Sequence, residues 1–218
     1  MRVSGALSRT LAAAADGGIF KRGPMSTFDD RLSRFQAHLD AILEREPEVF
    51  ELESTLPGVA SVMCLVYREV PQPGSITGVT FGLSEVSPPE WVQARPELLI
   101  AVDSTDVAWP LAAGEVANQL RGKRAFAYGE VIDFHGHIAA ESAMSAFFVF
   151  APSILERASY AGIDVGGEQP VEIAGLYPIY DSERAVLSQV GFERFWNDPR
   201  FDLYDVHREV VQLGSDGN

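Results

Sequence analysis

SITGVTFGLSEVSPPEWVQARPELLIAVDSTDVAW, residues Ser75 to Trp109, decides how the rest of the chain is read. Two apolar runs, Val79 to Leu83 and Leu98 to Val102, flank a loop holding Pro88, Pro89 and Pro96. Neither a helix nor a continuous strand can cross that loop, because proline lacks the backbone donor and fixes φ. The runs therefore predict two strands of one sheet. Leu98 to Val102 is apolar throughout and does not alternate, which is the pattern of a strand covered on both faces. It is placed at the centre of a layered α/β structure.

Working outward toward the N-terminus, Ser61 to Arg68 (SVMCLVYR) predicts a strand. The turn Pro71-Gln-Pro-Gly74 returns it antiparallel into Ile76 to Leu83. Gly78 and Gly82 inside the second strand predict a bulge or the close approach of another backbone. They are not a phosphate loop, since no Lys-Ser/Thr and helix follow. Pro47 and Pro57 enclose what reads as a polar linker. Before it, Phe28, Leu32, Phe35, Leu39, Ile42 and Leu43 recur at helical spacing behind a capping Thr27, which predicts an amphipathic helix from Thr27 to about Glu46. His38 lies alone on its polar face. Residues 1–24 carry four basic side chains against one acidic, +3, which leaves −17 on the remainder. This segment is read as a disordered leader or a mis-assigned start before Met25, with a secretory signal as the weaker alternative because Arg9 interrupts its apolar part.

Toward the C-terminus, Asp103-Ser-Thr-Asp106 supplies capping oxygens for a helix running to about Lys123, with Pro110 tolerated in its first turn. Its small residues suit close packing on the sheet, and Arg121, Lys123 and Arg124 complement its dipole. Then comes Tyr128-Gly-Glu-Val-Ile-Asp-Phe-His-Gly-His137. If extended, it would point Asp133, His135 and His137 to one side, roughly 7 Å apart at each step. Two histidines and a carboxylate suit a metal, whereas Asp and His also serve partner surfaces and local turns. Ala146 to Ala151 predicts a second buried strand and Val171 to Tyr180 another, with Pro178 placing its end at an edge or bulge. Ser182 is read as the cap of a last helix, with Leu187, Phe195 and Trp196 as core candidates. The segments predict one α/β (α+β) domain over 27–211, a mixed sheet flanked by helices, and a flexible tail at 212–218.

Composition narrows the function classes. With 46% hydrophobic residues the chain can bury a sizeable core, and no apolar run approaches the roughly 18 residues of a membrane-spanning helix. A net charge of −14 argues against nucleic acid or anionic membrane as a partner and favours a basic one. The single cysteine, Cys64, excludes an intramolecular disulfide and reads as a buried inert thiol in a reducing, cytoplasmic setting.

In its order of segments the chain resembles the Suppressor of fused-like (SUFU) family. The pieces are Thr80-Phe-Gly-Leu-Ser84, Arg95-Pro-Glu-Leu98, Trp109-Pro110, Phe126-Ala-Tyr-Gly-Glu130, Phe147 to Pro152, and Gly175-Leu-Tyr-Pro-Ile-Tyr-Asp-Ser-Glu183. The resemblance covers about Phe28 to Trp196 and is to the compact, prokaryotic kind. It implies a single α/β domain and a non-catalytic protein-binding role without a cofactor. Eukaryotic members sequester transcription factors by taking up an extended peptide. Compact members are thought to include immunity proteins that neutralise toxins, which here suggests a basic toxin domain as partner. The chain departs from eukaryotic members at Ala151, where they tend to carry an acidic residue, so a eukaryotic-type peptide is not implied. The candidate partner-binding residues are Trp109, Tyr128, Asp133, His135, His137, Tyr177 and Tyr180. The alternatives are a metal-dependent hydrolase using Asp133, His135 and His137 with Glu130 or Glu141, and a scaffolding subunit.

Overall fold

The computed structural model describes residues 27–86, 90–91 and 94–212. The elements are α1 (Thr27–Leu43), β1 (Glu48–Leu52), β2 (Val62–Arg68), β3 (Ile76–Phe81), β4 (Arg95–Val102), α2 (Ala108–Leu120), β5 (Val131–Asp133), β6 (Ala146–Phe150), α3 (Arg157–Tyr160), β7 (Val171–Ile179), α4 (Asp181–Val190) and α5 (Phe192–Trp196). The strands form one mixed seven-stranded sheet in the order β1-β2-β3-β4-β7-β6-β5. The apolar run at 98–102 is central, as its composition requires. β4 pairs antiparallel with β3, Val79 opposite Leu99, and parallel with β7, Ile100 opposite Leu176. Leu98 and Ile100 face one layer, Leu99 and Ala101 the other, and all four are buried.

On one face α2 covers Val62, Cys64, Ile76, Leu98, Ile100 and Leu176. Its start is held by Asp106, whose Oδ1 accepts from the Ala108 N–H at 2.9 Å. The close approach predicted at Gly78 is made by this helix. A β-carbon on Gly78 would lie 2.6 Å from Pro110 Cβ and 2.8 Å from Pro110 Cα, inside ordinary contact distance. Beside it the Cys64 thiol donates to the Pro110 carbonyl at 3.1 Å, and burial pushes that thiol up to about 12. On the opposite face α1 lays Phe35 and Leu39 over Leu65, Val79 and Phe81. Further along the same face, Val186, Leu187 and Phe195 of α4 and α5 pack on Phe148, Tyr177 and Ile179.

Several expectations are corrected. The linker between Pro47 and Pro57 contains β1, an edge strand in which Phe50 and Leu52 pack toward the α2 layer while Glu48, Val49 and Glu51 are exposed. Two inward side chains are too few for a periodicity to register. α1 stops at Leu43, where Glu44 turns to φ 52°. His38 is not alone: a ring nitrogen lies 2.8 Å from the Ser159 carbonyl oxygen. β7 is interior, yet Pro178 lies past the last β4 pair, opposite Phe147 of β6. There the missing donor breaks no ladder bond to β4. Ser182 lies inside α4 and does not cap it; Glu183 does so, its Oε2 accepting from the Tyr180 N–H at 3.0 Å. Arg121 is fully buried and donates to the Ala60 carbonyl at 2.8 Å, tying the end of α2 to the loop before β2.

Two buried carboxylates organise the interior. Glu97 on β4 accepts from Thr80 Oγ1 (2.6 Å), Gly82 N (2.7 Å), Ser84 N (3.0 Å) and Ser84 Oγ (2.6 Å), fixing the turn that leaves β3. Burial pushes its carboxyl up, against those hydrogen bonds. Glu183 pairs with Arg208 at 2.5 and 2.7 Å and accepts from the Val211 N–H at 2.8 Å, so the last described segment is clasped to the sheet. Among the described residues no helix is long and apolar enough to cross a membrane.

Candidate functional site

The expected extension of Tyr128 to His137 ends early. β5 holds only Val131 to Asp133, paired with β6, and His135 takes φ 60°, the left-handed region. The chain turns because Asp133 accepts from the His135 N–H at 2.7 Å in an Asx turn. Its other oxygen receives Arg184 at 2.8 Å. The His135 N–H and Arg184 hold the Asp133 carboxyl below the usual carboxylate range. His135 and His137 are exposed beyond the turn. Asp133, His135 and His137 thus do not form the one-sided row that a metal site here requires. Among the described residues no three His, Cys, Asp or Glu side chains are grouped to hold a metal ion.

Two of the aromatic candidates lie inside. Trp109 is fully buried, and its indole N–H donates to Glu141 at 2.8 Å beside the Ser104 hydroxyl. Burial opposes the charge on Glu141, but these two donors hold its carboxyl below the ordinary value. Tyr177 is buried, donating to the Ala151 carbonyl at 2.6 Å. Neither offers a surface to a partner, because the apolar ring of each fills a layer of the core and its one polar atom is already bonded. Tyr180 is half-buried, donating to the Arg208 carbonyl at 2.9 Å. Glu130 holds Arg124 at 3.3 Å on the surface.

Tyr128 is different. It is 46% exposed, one of two large exposed hydrophobic side chains among the described residues. Its position is set by the backbone of the next two residues, which bonds to β6: Gly129 N–H to the Val149 carbonyl and Val149 N–H to the Glu130 carbonyl, both 2.9 Å. The ring rests 5.4 Å from that of Phe150 and stands beside a hollow of about 460 Å³ at the start of β4 and β7. Burial, and then the negative charge of Glu172, push its phenol up to about 12. Trp91 and Phe126 share the hollow, edge to face at 5.1 Å.

The comparisons with known proteins agree with this architecture. Residues 58–209 match the family model described as Suppressor of fused protein (SUFU). The chain belongs to the SUFU family. Its fold is similar to the crystal structure of a SUFU homologue from Neisseria gonorrhoeae, with a TM-score of 0.65 at 14% identity, covering 84% of this chain and 98% of that one. A chain of the Sufu–Fu complex aligns at TM-score 0.60 and 14% identity, over 82% of this chain and 91% of that one. Drosophila Suppressor of Fused aligns at 0.59 and 14% identity, covering 83% of this chain and 51% of that one. At this identity the likeness is one of fold. No curated protein matches the chain.

The sequence picks out Tyr128 and misses its companions in the hollow. Trp91 lies between prolines in a loop, Phe126 enters only as one residue of a short family-like piece, and Glu172 starts a strand. Nothing in their spacing joins them. The parallel pairing of β4 with β7 does, by setting Pro96 opposite Glu172.

Proposed function

We propose that this SUFU-family chain is a non-catalytic protein-binding domain, formed by residues 27–211 and working in the cytoplasm, whose partner is a basic protein such as a toxin domain that it neutralises by occlusion. The observation that carries the reading is Tyr128, an exposed aromatic ring on a fixed backbone beside a half-open hollow, the arrangement by which interfaces anchor a partner. His135 and His137 are exposed past the Asp133 turn, at the other end of β5 from Tyr128, and offer a second polar surface. The charge of −17 outside residues 1–24 favours a basic partner and would speed its arrival. One structure similar in fold is that of a complex, Sufu–Fu, which lends the binding role support.

The test is capture from the source organism on tagged chain, wild type and Tyr128→Ala, washed at moderate and high salt, with metal content measured on the same samples. The expected result is one basic protein that is released as salt rises and is depleted on Tyr128→Ala. Capture that ignores both salt and Tyr128 refutes the reading. One metal per chain, lost on His135→Ala, would instead favour the hydrolase.

A further inference from the structure

The hollow beside Tyr128 has the composition of a receptor for a single organic cation. Its floor is Pro96 and Ala174, both buried and on neighbouring strands. Trp91, Phe126 and Tyr128 supply three aromatic walls, and Glu90 and Glu172 supply two carboxylates. Glu172 is half-buried on the same face of the sheet as Ala174, and its side chain makes no hydrogen bond or ion pair among the described residues. Among the described residues no Lys or Arg lines the space. Arg157, whose charge opposes the rise at Tyr128, is not among the residues lining the space.

Three kinds of guest can be compared. An anion would meet two carboxylates and the negative faces of the rings. A purely apolar guest would fit the walls but would strip water from Glu172 with nothing to replace it, and an unpaired half-buried carboxylate is costly. A cation with a flat, weakly hydrated head satisfies both features, attracted by ring quadrupoles and paired with Glu172. Guanidinium suits this better than ammonium, since it is planar, loses less hydration and can lie against an aromatic face while donating to a carboxylate. A volume of about 460 Å³ also admits the methylene stem, whose apolar length matches Pro96 and Ala174.

We infer that this hollow takes up one arginine side chain of the partner, lodged among Trp91, Phe126 and Tyr128 with Glu172 as its counter-charge. The inference rests on the protein-binding reading above and assigns it an anchor.

The probe is arginine blocked at both ends (N-acetyl, N-methylamide), with equally blocked citrulline as its neutral isostere. Binding is read from the indole N–H resonances in ¹⁵N spectra at low salt, the Trp91 signal being assigned with Trp91→Phe. Blocked arginine should shift the Trp91 resonance saturably while leaving that of the buried Trp109 in place. Blocked citrulline should bind about tenfold more weakly, and Glu172→Gln should weaken arginine by about the same factor. Tyr128→Leu, which keeps an apolar wall, should weaken it as well. Equal binding of citrulline and arginine, or a Trp91 signal that stays still, overturns the inference. Should Trp91 stay still while capture of a partner remains salt- and Tyr128-dependent, the anchor is refuted and the protein-binding reading stands. Saturable arginine binding with no partner captured supports the hollow as an arginine receptor and counts against the protein-binding reading.

Discussion

Replacing Arg208 by Met tests whether the C-terminal segment is held by charge or merely by burial. Arg208 donates to both oxygens of Glu183, at 2.5 and 2.7 Å, with side-chain exposures of 3% and 0%. Its guanidinium also lies 4.7 Å from the Phe201 ring centre and 3.3 Å from the Pro178 carbonyl. Met preserves much of the apolar contact and removes the charge, leaving the Glu183 carboxyl without its partner in the interior. Breaking a buried pair in this way costs about 3–5 kcal/mol. Glu183 keeps the N–H groups of Tyr180 and Val211, so the lower end, about 3 kcal/mol, is expected. For a domain of this size that lowers Tm by roughly 6–12 °C. Urea unfolding followed by far-ultraviolet circular dichroism measures it. Glu183→Gln combined with Arg208→Met, which leaves acceptors but no charge, should recover part of the loss. A cost below about 1 kcal/mol, the value of an exposed pair, or a double variant no better than Arg208→Met, would refute the reasoning.

Two further outcomes follow from the packing. Gly78→Ala puts a methyl 2.6 Å from Pro110 Cβ; α2 must retreat by about 1 Å, and thermal unfolding should show a loss of about 1–3 kcal/mol, whereas an unchanged Tm would mean that the helix is not seated on that strand. For Glu97 the folded carboxyl lies above its ordinary value of 4.5, so the folded chain holds that proton more tightly than the unfolded one. Its contribution is complete below pH 4.5 and is lost as pH rises through the folded value. Glu97→Gln should therefore flatten the fall in stability over that window, and an unaltered slope in denaturant titrations at stepped pH would contradict the assignment.

Much of the fold is readable because its strands are continuous apolar runs bounded by proline and glycine. Leu98 to Val102 announces a strand covered on both sides, and Ala146 to Phe150 another. β1 escapes because an edge strand with two inward residues carries almost no period. The buried carboxylates escape for another reason: Glu97 and Glu183 look like surface residues until Thr80, Ser84, Arg208 and Val211 converge on them from remote parts of the chain. The candidate site is legible in part. Tyr128 stands out by type, but the His-rich loop beside it suggests more chemistry than its backbone allows, since a metal row needs extension through His135. Trp109 reads as an aromatic beside a helix start, and only the fold reveals that this start is interior.

The pairing of β4 with β7 also governs when the protein can become whole. β1 to β4 pair with near neighbours in sequence and can assemble as they leave the ribosome, but the second neighbour of β4 is made about 70 residues later. Until then its free edge is an invitation to the wrong strand. β7 then enters between β4 and β6 as a keystone. A slip of one residue on entry would turn Ile173, Tyr177 and Ile179 toward α2 and Ala174 and Leu176 away from it. Nascent chains cut short before Val171 should accordingly be the ones that chaperones hold.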